Sequence, residues 1–166
     1  LDYEGELGFI IGRRCRHVPR ERAHEVIAGY VVCNDVSVRD WQFFAQTFTI
    51  GKSFDTHAPF GPWIVTPDEV GDPHTLGLKT WVNGELRQDS NTSHLVFDCY
   101  HQIETLTKAF TLEPGDLVLT GTPSGVGVGF KPHKYLKVGD KVRIEIDRVG
   151  YIENEVVAEP ATTTLI

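Results

Sequence analysis

The chain has 166 residues, of which 23 are acidic and 16 are basic, and its formal net charge at neutral pH is −7. Its length fits a single domain, and its 40% hydrophobic and 23% charged residues exclude wholesale disorder and collagen-like repeats. The acidic balance argues against a protein that binds nucleic acid by neutralising phosphates, because such proteins need a clustered basic surface.

In the first part of the chain, apolar and β-branched segments predict strands, and a proline or a capping hydroxyl predicts short helices. In chain order these elements are a strand at residues 6–11, a helix at 19–27, a strand at 30–36 and a helix at 39–45. Ser37 is the predicted N-cap of the second helix. Residues 53–67 contain three prolines and are predicted to form a loop, interrupted by one short strand at 63–65.

The second part of the chain is predicted to contain more strands and the longest helix. Residues 78–88 alternate around Asn83-Gly84, a dipeptide that favours a two-residue hairpin turn. Residues 93–110 have apolar side chains at helical spacing. The remaining elements are a turn at 113–116, a strand at 117–120, strands at 142–146 and 151–157, and a frayed tail at 161–166. The expected fold class is α+β and rich in β-structure, because helices and strands do not alternate regularly.

Three features bear on where the protein works. The cysteines, Cys15, Cys33 and Cys99, are odd in number and widely spaced, which favours neither a disulfide framework nor a thiolate zinc site. A reducing cytoplasm is therefore the expected compartment. No apolar run approaches the length of a membrane span, and no secretory signal is recognisable, so we expect no membrane partner. Because the sequence opens on Leu1 and contains no Met, we expect residues upstream of Leu1 to be missing from it.

Three acidic residues are candidates for a metal site. In an extended segment Glu4 and Glu6 point to the same face, and Asp35 follows the apolar run at residues 30–33. Carboxylates this close repel each other, and burying their charges is costly. A hard divalent cation removes both penalties because it prefers oxygen ligands. The alternative is that both glutamates face solvent and that Asp35 merely ends a strand.

Other polar segments allow two interpretations each. Arg39, Asp40 and Gln42 are either site residues or an exposed helix with an Arg–Asp pair. Lys52 lies between glycine and serine, but the rest of a phosphate-binding loop is absent, so nucleotide binding is rejected. The loop at 121–125 offers backbone N–H groups that could hold a carboxylate, or it is only a turn. The histidines show no metal-binding spacing, and no nucleophile-elbow motif is present.

Five strings, in the same order along the chain, resemble the catalytic domain of the fumarylacetoacetate hydrolase family. They are DYEGEL at residues 2–7, NDVSVRDWQ at 34–42, GKSFDT at 51–56, VNGELRQ at 82–88 and LVLTGTPSGV at 117–126. Residues 130–140 are similar to the bacterial and mitochondrial branch, which includes the domain-containing members and the 2-hydroxyhepta-2,4-diene-1,7-dioate isomerases. A domain of this family would occupy residues 1–160.

The resemblance implies a fold with a mixed β-sheet rolled into a barrel-like form and a few helices. It implies Mg²⁺ or Mn²⁺, with Ca²⁺ as an alternative, held by Glu4, Glu6 and Asp35. Lys52 would lie beside the metal and either stabilise an oxyanion or move a proton.

The same match implies further site residues. Arg39 and Gln42 would join Lys52 as catalytic residues, and Arg39 would either orient Asp35 or bind a second carboxylate. The substrate would be bound by four residues: Gln42, Thr56, Gly121 and Thr122. No histidine can be carried over as general base, because family members often have that histidine and a glutamate on a mobile lid upstream of this sequence.

The resemblance implies an enzyme that acts on small keto acids. The leading hypothesis is a metal-dependent hydrolase that cleaves C–C bonds in acylpyruvate-type or fumarylacetoacetate-type β-dicarbonyl acids. The alternative is an isomerase, tautomerase or decarboxylase of 2-hydroxy-dienoates or oxaloacetate that uses the same metal. A protein that binds metal without catalysis is a third hypothesis. Family members are typically dimers or larger, so a homodimer or higher homo-oligomer is expected.

Overall fold

Two antiparallel sheets of four strands are the main secondary structure of the protein, a computed structural model that describes residues 1–44 and 46–163. The strands are β1 (Gly5–Ile11), β2 (Ile27–Asn34), β3 (Phe60–Val65), β4 (Gly77–Val82), β5 (Glu85–Asn91), β6 (Leu117–Leu119), β7 (Lys141–Ile146) and β8 (Gly150–Glu155). One sheet has the order β3-β2-β1-β6 and the other β5-β4-β7-β8. The predicted β-rich α+β class is confirmed.

The main core lies between the two sheets. All seven residues of β1 are buried, and Leu7 and Phe9 pack in one cluster with Ile144 and Ile146 of β7. A smaller cluster around Ile10 forms on the opposite face of the first sheet. Because β1 and β2 have apolar residues on both faces, their sequences form nearly continuous apolar runs instead of alternating.

Within the described residues, three α-helices lie outside the sheets: α1 (Arg39–Phe44), α2 (Pro67–Val70) and α3 (Cys99–Ala109). The prediction for α1 is confirmed, although its last residue, Ala45, lies outside the described residues. Ser37 is not the N-cap, because its hydroxyl donates to the carbonyl of Asp35, two residues earlier. The single turn α2 was not predicted.

The helix predicted at 93–110 is shorter in the structure. It begins at Cys99 because the carboxylate of Asp98 accepts a hydrogen bond from the His101 N–H as an N-cap. Thr92–His94 forms a separate 3₁₀ turn, and the apolar residues Leu95, Val96 and Phe97 lie between this turn and the start of the helix. The helix predicted at 19–27 is a 3₁₀ helix over Arg20–Val26.

Turn chemistry accounts for the strand boundaries. Asn83 and Gly84 have φ values of 52° and 81° and join β4 to β5, which confirms the predicted hairpin. The strand predicted at 63–65 begins earlier, at Phe60, and includes Pro62, which is tolerated because β3 is an edge strand. In the tail, Ala161–Thr163 forms a 3₁₀ turn, and residues 164–166 lie outside the described part of the chain.

Candidate metal centre

The three candidate carboxylates meet where β1 begins and β2 ends. The two strands are antiparallel neighbours with Gly5 opposite Asn34, so Glu4 and Asp35 lie next to each other beyond the paired residues. The Asp35 N–H donates to the Glu4 carbonyl at 2.9 Å. One carboxylate oxygen from each of Glu4, Glu6 and Asp35 lies within 4.8 Å of the other two. The structure therefore brings together the three residues predicted as metal ligands.

Lys52 lies against this cluster, as predicted. A 3₁₀ turn at Ile50–Lys52 directs its side chain inward, and Nζ is 2.7 Å from Glu4 Oε2 and 2.6 Å from Asp35 Oδ2. The second oxygen of Glu4 is 2.7 Å from Nη1 of Arg39. Each carboxylate oxygen of Glu4 is thus paired with a positively charged side chain, one with Lys52 and the other with Arg39.

Arg39 is buried and connects Glu4 to two other side chains. Its Nε donates to Asp2 Oδ2 at 2.9 Å, and its Nη1 donates to Gln42 Oε1 at 2.8 Å. Arg39 was expected either to orient Asp35 or to bind a second carboxylate. In the structure it pairs with Asp2 and Glu4 instead of with Asp35. Gln42 is held within this network by the same guanidinium.

Asp2 is a site-supporting residue that the sequence interpretation missed. It is fully buried, and its carboxylate accepts hydrogen bonds from the N–H groups of Gly127 and Val128 as well as from Arg39. The available signal was its spacing, because Asp2, Glu4 and Glu6 share one face of an extended segment. Its partners are distant in sequence, so their identity could not be inferred from that spacing.

The charges of the cluster do not balance without a cation. When Glu6 is ionised, as metal ligation requires, four carboxylates (those of Asp2, Glu4, Glu6 and Asp35) face the two positive groups of Arg39 and Lys52. Burial, together with the neighbouring Asp35 and Glu4 charges, raises the pKa of Glu6 to about 8, while the Gly121 N–H and the Lys52 charge oppose the rise. A divalent cation would offset the two excess negative charges, so the residues fit a hard metal ion.

The loop after β6 closes one side of the cluster. Its Gly121 N–H donates to Glu6 Oε2 at 2.7 Å, and Gly121 has φ = 102°, a conformation that favours glycine. The Thr122 hydroxyl donates to the Gly5 carbonyl at 3.0 Å and accepts from Gln88 Nε2 at 2.8 Å. The predicted substrate residues Gly121 and Thr122 therefore do border the cluster, and the buried Gln88, which was not predicted, supports them.

Thr56 is the predicted site residue with the weakest connection to the cluster. It is exposed, has φ = 65°, and is not among the residues that pair with the three carboxylates in the described part of the chain. Its position in the loop after Lys52 is the structural link that remains. A role for Thr56 in binding substrate stays a prediction.

A cavity of about 720 Å³ lies beside the candidate centre. It shares Gly121 and Thr122 with the site, but Glu4, Glu6 and Asp35 do not line it. The carboxylate cluster and the cavity are therefore neighbouring features with one common wall.

Comparison with known proteins identifies the family. The sequence profile described as "Fumarylacetoacetate (FAA) hydrolase C-terminal" matches residues 1–157. The chain belongs to the fumarylacetoacetate hydrolase family. The mitochondrial oxaloacetate tautomerase fahd2 of Xenopus laevis is 48% identical over 159 residues, 95% of this chain and 50% of that protein. Oxaloacetate tautomerase YisK of Bacillus subtilis is 46% identical over 156 residues, 94% of this chain and 52% of that protein.

Solved structures of family members have the same fold. A fumarylacetoacetate hydrolase from Exiguobacterium antarcticum has a TM-score of 0.92 and 45% identity, over 96% of this chain and 57% of that one. A 2-hydroxyhepta-2,4-diene-1,7-dioate isomerase from Mycobacterium marinum has a TM-score of 0.86 and 42% identity, over 94% and 58% of the two chains. Maleylpyruvate hydrolase from Sphingobium, in complex with manganese (II) ion and pyruvate, has a TM-score of 0.81 and 42% identity, over 94% and 54%.

These comparisons confirm the predicted family and its isomerase-containing branch. The relatives are named as tautomerases, isomerases and hydrolases, so they are enzymes of more than one reaction type. The chain spans about half the length of the curated relatives it matches. Among the described residues, no helix has the length and apolar character needed to cross a membrane.

Proposed function

We propose that this domain binds Mg²⁺ or Mn²⁺ through Glu4, Glu6 and Asp35 and catalyses tautomerisation of a small α-keto acid of the oxaloacetate type. The observation that carries the proposal is the cluster of three carboxylates, two of which lie within hydrogen-bonding distance of Lys52. Two relatives at 48% and 46% identity are named oxaloacetate tautomerases, and one structural neighbour contains manganese and pyruvate.

The proposed ligands suit a hard cation, with Ca²⁺ as the alternative to Mg²⁺ or Mn²⁺. When bound, such an ion acts as a Lewis acid that stabilises the negative charge of an enolate. Gly121 holds one oxygen of Glu6 through its N–H, and Arg39 holds one oxygen of Glu4. These contacts orient the two glutamates before any ligand arrives.

Tautomerisation moves a proton between carbon and oxygen and consumes no water. Lys52 is the residue proposed to transfer that proton, and the contacts of its ammonium group with two of the proposed ligands support this role. Gln42 and Thr122 are proposed to orient the keto acid. The fixed Asp2–Arg39 pair keeps Gln42 in place.

A second candidate is hydrolysis of a C–C bond in an acylpyruvate-type acid. The maleylpyruvate hydrolase of Sphingobium, 42% identical to this chain, favours it. Both reactions develop negative charge on the same keto-acid oxygens, so the same cluster suits either. Analysis of the products distinguishes the reactions, because tautomerisation yields one isomer, hydrolysis yields two fragments and decarboxylation yields CO₂.

We also propose that the protein forms a homodimer or a higher homo-oligomer. Several large apolar side chains are exposed on α1 and β3, and they are Phe43, Phe44, Phe60, Trp63 and Ile64. Phe43 and Phe44 are adjacent in α1, and the other three share β3; large apolar groups exposed together in this way are typical of surfaces that bind a partner. Light scattering coupled to gel filtration measures the assembly, and a monomeric mass would contradict the proposal.

The function is tested by following enol–keto conversion of oxaloacetate in the ultraviolet. We expect turnover with Mg²⁺ or Mn²⁺, loss of turnover with EDTA, and a decrease of about 100-fold or more in Glu4→Gln, since one ligand and the Lys52 contact are both altered. Glu153→Gln is the matched control, because Glu153 is exposed on β8. Turnover that is unaffected by EDTA would contradict the proposal.

A further inference from the structure

Gly5, the residue between the two proposed glutamate ligands, has both its N–H and its carbonyl bonded to side chains. The N–H donates to Gln88 Oε1 at 3.0 Å, and the carbonyl accepts from the Thr122 hydroxyl at 3.0 Å. The strand β6 pairs with β1 only at residues 8–10, so at Gly5 these side chains take the place of a neighbouring strand. Both peptide groups that flank Gly5 are therefore held by Gln88 and Thr122.

Gln88 and Thr122 complete a closed ring of hydrogen bonds with Gly5. Gln88 Nε2 donates to the Thr122 hydroxyl at 2.8 Å and to the Pro123 carbonyl at 3.0 Å. The orientation of the Gln88 amide is fixed, because the Gly5 N–H can only donate and the Pro123 carbonyl can only accept. Since the amide donates to Thr122, the Thr122 hydroxyl gives its own proton to the Gly5 carbonyl. Gln88 thus sets the direction of every hydrogen bond in the ring.

Gln88 reaches this ring from the other sheet. It lies on β5, whereas Gly5 begins β1 of the first sheet. Gln88 is 1% exposed, so its hydrogen bonds are shielded from water. The preceding residue of β5, Arg87, places its carbonyl against Gly125, where an added Cβ would collide with it. The loop at 121–125 therefore rests on β5, and Gln88 links that loop to β1.

Two buried polar side chains face Gly5, and Gln88 is the one that binds it. A Cβ added to Gly5 would collide with Thr80 Oγ1 and would lie 3.1 Å from Gln88 Oε1. Thr80 is opposite Gln88 in the β4–β5 ladder and is fully buried. Among the described residues its hydroxyl has no hydrogen-bond partner. Thr80 therefore packs against Gly5 without fixing its backbone, which makes it a matched control for Gln88.

We propose that Gln88 is a positioning residue of the candidate metal centre and acts through its ring with Gly5 and Thr122. By fixing the backbone of Gly5, it sets the directions in which the side chains of Glu4 and Glu6 leave the chain. By fixing Thr122, it holds the neighbouring loop against the same segment. Residues that orient metal ligands without touching the metal change metal affinity by about 10–100-fold when they are replaced. The inference rests on the proposed function for the presence of the cation.

The affinity for Mn²⁺ without a keto acid measures this role, because neither Gln88 nor Thr122 is a proposed ligand. In Gln88→Met, a side chain of similar volume makes none of the three hydrogen bonds, so the Mn²⁺ dissociation constant from calorimetry should rise by about tenfold or more. Thr122→Val should have a similar effect. Thr122→Ser keeps the hydroxyl and should bind Mn²⁺ nearly as tightly as the wild type. An unchanged dissociation constant in Gln88→Met would overturn the inference.

Two controls separate positioning from a general loss of stability. Thr80→Val removes the hydroxyl that has no partner, and Thr107→Val removes fully buried hydrogen bonds within and beside α3. Both variants should bind Mn²⁺ as the wild type does. If Thr107→Val weakened binding as much as Gln88→Met, any lost buried hydrogen bond would have this effect and the inference would be wrong.

The double variant Gln88→Met/Thr122→Val tests whether the ring acts as one unit. Breaking the ring once should remove its whole effect, so the double variant should bind Mn²⁺ no more weakly than the weaker single variant. Losses that multiply would contradict the inference. If Gln88→Met does not fold by circular dichroism, Thr122→Val and Thr122→Ser decide, and equal Mn²⁺ affinities in these two variants would overturn it.

Hydrogen exchange of the Gly5 amide, followed by NMR in EDTA, separates this inference from the proposed function. We expect the Gly5 N–H to be protected in the wild type and to exchange faster in Gln88→Met. If the wild type neither binds Mn²⁺ nor converts oxaloacetate, the proposed function fails, and equal exchange in the two proteins would then contradict the ring as well. If the wild type does both and Gln88→Met binds Mn²⁺ equally well, the inference alone fails.

Discussion

The charge of Glu6 is expected to depend on whether a cation is bound. It is 3% exposed, and its nearest formal charges include the carboxylates of Asp35 and Glu4. Desolvation is the first cause of its raised pKa, and the like charges add to it. In the metal-free protein, the structure therefore favours the neutral acid, whereas metal ligation requires the carboxylate.

We expect Glu6 to make the metal-free protein less stable as the pH rises. Its pKa of about 8 in the folded protein lies above the unperturbed value of 4.5, so its stabilising contribution is complete below pH 4.5 and is lost as the pH rises through 8. In EDTA, the free energy of unfolding of Glu6→Gln should not show this decrease with pH. It should exceed that of the wild type most at pH 8. Urea unfolding across this pH range measures the difference.

Glu153→Gln provides the control for this titration, because Glu153 is exposed and should leave the profile unchanged. Parallel stability profiles for wild type and Glu6→Gln would contradict the assignment of a raised pKa to Glu6. With Mn²⁺ in excess, the wild type should become more stable than Glu6→Gln, since the neutral amide removes one proposed ligand.

At the scale of elements, Asp2 joins three parts of the fold. It precedes β1, accepts hydrogen bonds from the backbone of Gly127 and Val128 beyond β6, and pairs with Arg39 in α1. Because Arg39 in turn contacts Glu4, the position of a proposed ligand depends on how these elements are held together. Removing one partner of a buried ion pair of this kind strongly destabilises the fold, because the other charge stays buried without its partner.

We expect Asp2→Asn to be destabilised by about 3–5 kcal/mol, because Arg39 loses a buried counter-charge. Urea unfolding in EDTA measures this effect independently of the metal. The control is Asp89→Asn, whose partner Lys79 is 3.9 Å away on the surface, where ion pairs contribute only about 0–1 kcal/mol. Similar free energies of unfolding for the two variants would contradict a structural role for Asp2.

At the scale of the whole molecule, the proposed metal connects segments that are far apart in sequence. Its ligands come from the start of β1 and the end of β2, and Glu6 is held by the loop after β6. An unfolded chain does not present the three carboxylates together. A cation that binds only the folded state should therefore stabilise the entire fold.

We expect Mn²⁺ at 100 times its dissociation constant to stabilise the wild type by about 2.7 kcal/mol. Thermal unfolding with and without the ion measures this, at constant ionic strength. The shift should be abolished in Asp35→Asn and kept in Asp140→Asn, since Asp140 lies in a turn before β7. An equal shift in both variants would place the bound ion elsewhere.

Features set by neighbouring residues were predictable from the sequence. The hairpin at Asn83-Gly84 needs only residues that tolerate positive φ, and the buried strands β1 and β2 follow from their apolar runs. Helix boundaries were less predictable. The start of α3 depends on one cap, Asp98, and the apolar residues before it continue the helical spacing without being helical.

The candidate site divides in the same way. Glu4 and Glu6 were inferred from strand periodicity and Asp35 from its place after an apolar run, whereas Lys52 was inferred only from the resemblance to the family; the structure brings the four together. The roles of Asp2 and Gln88 were not inferred, because each acts through partners brought close only by folding. The cavity could not be predicted at all, since no short segment forms it.

By itself, the sequence determined the class of fold, the family and the acidic character of the proposed site, because periodicity, turn residues and motif order are local properties of the chain. The tertiary structure decided which cations face those acids, which charges stay unbalanced and where open space lies beside them. Those properties depend on distances between Glu6, Arg39 and Gly121, which are fixed only when β1, α1 and the loop after β6 pack together.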